Sequence, residues 1–393
     1  MHLIESYALN SGVKISKPYI REKFFPLKVD KYITFQPWTK FDSRNYDSWQ
    51  EVLDFLVPLL LKQEISIVQI GGKKDKQFKN VYQLSGQTTL NQTAYVIKNG
   101  LLHLGIDSLG VHLASYYDKK IVGIYSNMLP SQSGPFFSST ENLCLIESDK
   151  KGNKPSYSTQ ENPKTINNIG SEKIARAVLN MLNLETLDFP YETIYTGETY
   201  QNKMIESVPS SIIDHEKLGM DSIIMRMDFH FNENALVSQL KRCPCSVITD
   251  WPIDLEILKA FKSRILQFFL YINDDVDLSF LDSLKELGIE YALRTQLEEK
   301  DLQKHKLNLL DHPPVFNQKI IDPKDIPELK NEDLNNLYYV SKKFTLEKGK
   351  IYPSCAAWQA DQPVSDFTYE PQKIINNDSF WRELESFKIF RKI

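Results

Sequence analysis

The chain reads as an α/β protein built from two doubly wound, Rossmann-like domains. Three observations predict this. Short β-branched runs alternate with stretches of helical apolar spacing along most of the sequence. The alternation lapses once, in a segment around residue 200 that is rich in turn signals. A length of 393 residues also exceeds what one ordinary core organises, so domains at 1–200 and 201–393 are expected.

Composition narrows the function classes before any motif is considered. Hydrophobic residues make up 41% and charged residues 25%, and the net charge of −4 offers no basic excess for a nucleic-acid surface. The opening MHLIESYALNSGVKISKPYI lacks the charged-then-apolar pattern of a leader. The apolar run around residues 57–61 is interrupted by Pro58 and closed by Lys62, too short for a membrane span. A cytoplasmic protein with no transmembrane segment is expected. Cys144, Cys243, Cys245 and Cys355 have neither finger-like spacing nor the density of a disulfide framework, so reduced thiols and no metal are expected.

In the first half, a helical pattern at Leu3–Leu9 is followed by a Pro-bearing connector. Lys31–Gln36 is a strand running into the polar loop PWTKFDSRNYDS. Trp49, Val52, Leu53, Leu56, Leu59 and Leu60 have helical spacing, with Asp47 or Ser48 as cap. Strands follow at Ile65–Ile70, ended by Gly71-Gly72, and at Val81–Leu84. Thr88 or Thr89 caps a helix over Leu90–Asn99, and Gly100 stops it. Then come a strand at Leu101–Gly105, the cap pair Asp107-Ser108, a helix at Val111–Tyr117 and a strand at Ile121–Tyr125. A strand at Leu143–Glu147, a polar segment and a helix capped by Ser171 and running to Leu184 complete this half. A buried strand feeding a helix through a polar loop is where α/β proteins hold anions, because the first helical turn presents unpaired N–H groups. Asp107–His112 is therefore the candidate ligand site.

Glu185–Gly219 is expected to connect the domains, with a short strand near Thr193–Thr196. Alternation resumes with strands at Ser222–Phe231, Cys245–Thr249, Ile265–Ile272 and Glu290–Arg294, separated by helices at Asn232–Arg242, Asp254–Phe261 and Leu278–Leu287. Gln296–Leu310 is a further, charged helix. The tail holds a strand pair at Tyr338–Phe344 and Lys350–Tyr352, then a helix over Ser379–Phe390 with Phe380, Trp381, Leu384 and Phe387 on one face. No Gly-rich phosphate fingerprint occurs in this half. Strand ends carry Asp228, His230, Asp250 and Asn273-Asp274-Asp275, where ligands of open α/β sheets gather. Asp228 and Asp250 are the candidates for a general base, which must reach a reacting hydroxyl.

Taken together, the strand-plus-diglycine IVQIGG, the step LSGQTTL, the stretch LGIDSLGVHLAS, the strand KKIVGIY and the closing SGP form an ordered set. This set resembles the C-terminal, donor-binding half of the bacterial ADP-heptose heptosyltransferases, which have the GT-B fold. The resemblance is strongest over about a third of the chain and extends more weakly over Lys31–Leu184. It implies a nucleotide-diphospho-sugar donor bound without an obligatory metal or other cofactor. By the same resemblance, Asp107, Ser108 and His112 stand beside the donor, Gly86 and Thr88 form the preceding turn, and Lys40 or Arg44 supplies a cation. Where the family has glycine-proline after aspartate-serine, this chain has Leu109-Gly110. The family places its acceptor-binding domain first, whereas about thirty residues precede Lys31 here, so a GT-B-like pair with the donor half first is the expected arrangement.

Structural roles stand beside the functional ones. Asp107-Ser108 can serve only as a helix cap, His112 as a packed histidine, and Lys40 and Arg44 as solvated loop charge. His103, inside an apolar strand, reads as packed rather than catalytic. The functional expectation is a glycosyltransferase moving a sugar from a nucleotide sugar to an acceptor that is a glycan, lipid, protein or nucleic acid. The alternatives are a catalytically inactive nucleotide-sugar-binding protein and a nucleotide-sugar epimerase.

Overall fold

The computed structural model describes residues 1–150, 152–184, 191–210, 212–273, 277–367 and 369–392. The chain divides into two compact units, Met1–Thr193 and Ile194–Lys392. Of the acidic run Asn273-Asp274-Asp275, only Asn273 lies among the described residues, and residues 185–190 of the expected connector lie outside them.

The first unit is wound on a six-stranded sheet. Its strands are β1 (Tyr32–Gln36), β2 (Ser66–Gln69), β3 (Tyr82–Gln83), β4 (Leu102–Ile106), β5 (Lys120–Tyr125) and β6 (Leu143–Glu147). Its helices are α1 (Leu3–Ser11), α2 (Trp49–Lys62), α3 (Leu90–Asn99), α4 (Leu109–Tyr116), the short α5 (Pro130–Ser133) and α6 (Ser171–Met181). All strands pair in parallel in the order β3-β2-β1-β4-β5-β6. Period-two alternation divides the apolar side chains between the sheet's two faces. Ile33, Phe35, Ile67, Val122 and Ile124 share a core with Trp49, Leu53 and Leu56 of α2 and Ile174 and Val178 of α6. Tyr32, Val68 and Ile121 share another with Val96 of α3 and Val111 and Ala114 of α4. Burying each of these large side chains is worth about 1.5–3 kcal/mol. Helices on both faces make this sheet doubly wound, and its direction of growth reverses between β1 and β4.

Local chemistry explains the helix starts. Thr89 caps α3 through a reciprocal box with Gln92. Ser171 is the first residue of α6 rather than its cap, and its hydroxyl donates to Glu51 instead.

The second unit follows a different plan. Its elements are β7 (Tyr191–Thr196), which carries the boundary between the units, β8 (Met204–Ser207), β9 (Ser222–Arg226), α7 (Glu233–Arg242), β10 (Cys245–Thr249), α8 (Leu255–Phe261) and β11 (Ile265–Ile272). They continue with α9 (Leu278–Glu286), β12 (Tyr291–Thr295), α10 (Glu299–His305), β13 (Val315–Asn317), β14 (Leu337–Ser341), β15 (Lys343–Glu347) and β16 (Lys350–Tyr352). Last come α11 (Cys355–Gln359), β17 (Gln372–Lys373), α12 (Asp378–Arg382) and β18 (Phe387–Lys392). The main sheet has the order β13-β12-β11-β10-β9-β8-β15-β16, parallel except at β16.

From β8 to β13 each strand lies beside its predecessor, so the winding never reverses. The doubly wound arrangement expected for this half is therefore corrected. Successive right-handed crossovers in one direction put the helices on one face. There Ile223, Met225, Val247, Phe268 and Leu293 pack with Leu236 and Leu240 of α7, Leu258 of α8 and Leu281 of α9. A smaller sheet, β17-β14-β18-β7, covers a further core of Tyr339, Phe380, Trp381, Phe387 and Ile389.

Three element readings change. The run expected as one strand over Tyr338–Phe344 is two, β14 and β15, in different sheets. The final helix stops at Arg382, and Phe387–Lys392 is a strand paired antiparallel with β14. The charged helix expected over Gln296–Leu310 is confined to α10.

Candidate functional site

In the first unit the carboxyl ends of β1, β2 and β4 and the start of α4 enclose a cavity of about 390 Å³. Its walls include Gln36, Trp38 and Lys40 after β1, Gly71, Gly72 and Asp75 after β2, and Ser108 and Gly110 at the start of α4. Open α/β sheets bind ligands where the strand order reverses, and the β1–β4 junction is that point here. Gln36 organises the helix start: its Oε1 accepts from Gly110 N at 2.7 Å, and its Nε2 donates to Ser108 Oγ at 3.3 Å. Ser108 occupies the N-cap position, yet its side chain makes no capping bond. Its hydroxyl is therefore not spent on helix α4.

Asp107, just after β4, is buried and engaged. Its carboxylate accepts from Ser133 Oγ at 2.9 Å and lies 3.2 Å from Arg44 Nη1. Arg44 also donates to the Asp107 carbonyl at 2.9 Å and to Asn127 Oδ1 at 3.2 Å. His112 Nε2 stands 4.0 Å from Asp107 Oδ1. Burial lowers the His112 pKa below the ordinary imidazole value, against an opposing pull from Asp107, with His2 and Arg44 adding to the lowering. Near pH 7 this ring is neutral. His103 is fully buried with Nδ1 2.9 Å from Thr34 Oγ1, a packed histidine as read from the sequence.

The donor-site candidates thus fall into three groups. Lys40 and Ser108 line the cavity. Asp107, Arg44 and His112 form one electrostatic cluster, in which Arg44 is already paired. Gly86 and Thr88 do not line the cavity. Gly86 has φ +72° and donates to the Gly71 carbonyl at 2.9 Å, and Thr88 shares a hydrogen bond with Thr93 of the cavity wall. Gln36, Trp38, Asp75 and Thr93 were not singled out from the sequence. For Gln36, Trp38 and Asp75 the available signal was their place at or after the ends of neighbouring strands, whereas Thr93 lies within α3.

In the second unit the main sheet's polar face borders a larger cavity, of about 640 Å³. Strand alternation creates it: Ile205, Met225 and Leu293 turn toward the helices, while Glu206, Arg226 and Arg294 turn to the cavity. Arg226 is held by Asp228, through Nε at 2.8 Å and Nη2 at 2.7 Å, and by Glu206, through Nη1 at 2.8 Å. Lys343 bridges Glu206 and Glu383 at 2.8 and 2.7 Å. Burial alone would raise the Glu206 carboxyl; Arg226 and Lys343 overcome it and hold it below the usual range.

Strand β9 ends at Arg226, so Asp228 and His230 follow it rather than belonging to it. His230 is exposed and does not line the cavity. Asp250 lines it, and burial, reinforced by the charge of Asp228, holds its carboxyl above the usual range. Among the described residues no group of three or more His, Cys, Asp or Glu side chains gathers as metal ligands. Among those residues, too, no helix is long and apolar enough to cross a membrane.

Residues 7–162 match the profile of Glycosyltransferase family 9 (heptosyltransferase), a span that includes every donor-site candidate. No curated protein matches the chain. Among solved structures, the chain is similar to a glycosyl transferase family 9 protein from Veillonella parvula at 18% identity, covering 39% of this chain and 46% of that one, with a TM-score of 0.32. It is also similar to the E. coli ADP-heptose lps heptosyltransferase II at 16% identity, covering 46% and 51%, TM-score 0.32. For the E. coli heptosyltransferase WaaC with ADP the values are 17%, 45%, 54% and 0.31. The chain spans about half the length of these structures.

Proposed function

From a first unit whose residues 7–162 match the glycosyltransferase family 9 profile, we propose that the protein is a glycosyltransferase using a nucleotide-diphospho-sugar donor. The observation that carries this reading is the coincidence of two features. The cavity holding Lys40 and Ser108 lies at the strand-order reversal, and the profile match covers those same residues. Donor binding is assigned to that cavity. Lys40 offers an ammonium to the diphosphate, and the O–H of Ser108, whose oxygen accepts from Gln36, and the α4 start offer hydrogen bonds. Asp107 fixes Arg44 and so orders the loop that presents Lys40. As the glycosidic bond breaks, negative charge gathers on the departing diphosphate, and fixed donors stabilise it more than they stabilise the bound donor.

Asp250, whose carboxyl stays partly shielded from water, is the group assigned as general base, and Asp228 is assigned to hold Arg226. No metal step is part of this proposal. Titration calorimetry of the full chain with ADP-, UDP- and GDP-sugars tests it. At least one should bind, and Lys40→Ala should weaken that binding about tenfold, the worth of one charge-assisted contact. If none of the three binds, the reading is wrong.

A further inference from the structure

The open apolar surface of the first unit is concentrated before its first strand. Tyr7, Leu9, Val13, Tyr19 and Phe24 are each at least 61% exposed, and elsewhere among this unit's described residues only Leu61 is as open. Helix α1 buries none of its side chains. The stretch that follows is nonetheless anchored. Ile20, Phe25, Leu27 and Val29 pack inward on the core shared by α3 and α4. The Lys23 N–H donates to the Asn91 carbonyl at 3.0 Å, and Phe24 meets the Tyr95 ring edge-on. The outward side chains are thus held in the open by a fixed strap.

Cations interleave with them. Lys14, Lys17, Arg21, Lys23 and Lys28 stand in this stretch against one carboxylate, Glu22, which Lys98 of α3 neutralises at 2.9 Å. Asp118, after α4, faces Lys17 and is held by Ser139. Among the described residues no carboxylate forms an ion pair with any of the five cations. Residues 1–31 carry six Lys and Arg against three Asp and Glu, whereas the rest of the chain has 41 against 48. An anchored strip of apolar side chains and unpaired cations matches an anionic bilayer. Its phosphates draw the cations, and its acyl boundary takes the apolar groups out of water. A nucleic-acid backbone would engage the cations and leave Leu9 and Val13 wet.

We propose that residues 1–31 dock the protein on an anionic lipid bilayer, lying on its surface without crossing it. Tyr19 and Phe24 enter the headgroup boundary, and Lys14, Arg21 and Lys23 meet lipid phosphates. The surface belongs to the first unit's own fold and does not depend on the nucleotide-sugar reading.

Co-sedimentation of the full chain with phosphatidylcholine vesicles, with and without about 30 mol% phosphatidylglycerol, tests it. Vesicles containing phosphatidylglycerol should bind at least about tenfold more tightly. Each cation contributes about fivefold, so Lys14→Gln, Arg21→Gln and Lys23→Gln combined should weaken that binding on the order of a hundredfold. Val13→Ser with Tyr19→Ser should weaken it about tenfold, and both variants should keep the parent's circular dichroism. The proposal is overturned if neither vesicle is bound, if the two are bound alike, or if either folded variant binds like the parent. Self-association of the parent that Val13→Ser with Tyr19→Ser abolishes, without vesicle binding, would also overturn it and assign the face to a second copy.

Discussion

Gly110 sits where two side chains crowd the start of α4. A Cβ there would come within 2.3 Å of Gln36 Oε1 and 2.6 Å of the His103 ring. The Leu109-Gly110 pair that departs from the family's glycine-proline step therefore puts a glycine at the crowded position, and its N–H, which a proline would lack, reaches Gln36. His103 makes a prediction of its own. Burial pushes its pKa from 6.5 down to about 3, so below pH 6.5 the unfolded chain takes up a proton that the folded chain refuses. Stability contributed by the neutral ring is complete above pH 6.5 and is lost as pH falls toward 3, at up to about 1.4 kcal/mol per pH unit. Urea midpoints at about pH 7 and about pH 4.5 should show this drop, and His103→Asn should flatten it. At this scale the sequence was informative where chemistry is local. Lys40, Asp107 and Ser108 stand in strand–loop–helix segments whose character shows in a dozen residues. Gln36 and Trp38 escaped because their importance comes from β1 pairing with β4, some seventy positions away.

Two of the strands not read from the sequence were hidden for different reasons. Met204–Ser207 is only four residues long and lies among turn signals, so nothing in its own pattern marks it as an inner strand of the larger sheet. Phe387–Lys392 was absorbed into a helical stripe because Phe380, Trp381, Leu384 and Phe387 happen to fit a period near 3.6. Phe387 and Ile389, two residues apart and both fully buried, share one face of this strand, and Lys388 between them is buried on the other. The two readings differ at Ile389, which a continued helix would turn away from the stripe. Ile389→Ala should cost about 2–5 kcal/mol in denaturant unfolding, as for a buried aliphatic truncation; a change under about 0.5 kcal/mol would fit a surface position instead.

At the scale of the whole molecule, alternation of strands and helices was legible, and strand order was not. Both units alternate, yet one sheet reverses its growth between β1 and β4 and the other runs in sequence from β8 to β13. Order is decided by which edge accepts the next strand, a choice between surfaces remote in sequence that leaves no periodic mark. The proposed chemistry uses cationic side chains and helix N–H groups rather than a bound ion. Sugar transfer by the full chain should therefore persist in excess EDTA, and a loss restored by added divalent cation would place a metal in the reaction. The tryptophans carry a practical consequence. Trp38 stacks on Phe78 at the first unit's cavity, and Trp251 stands open in the wall of a cavity that shares Asp250 with the second unit's larger one. Trp49 and Trp381 are buried in cores, and Trp358 is stacked on Phe229 and donates to Glu347. Each cavity thus has its own native fluorophore. With Trp38→Phe and Trp251→Phe as mutual controls, emission can report occupancy of one site while the other is silent, without attaching a dye.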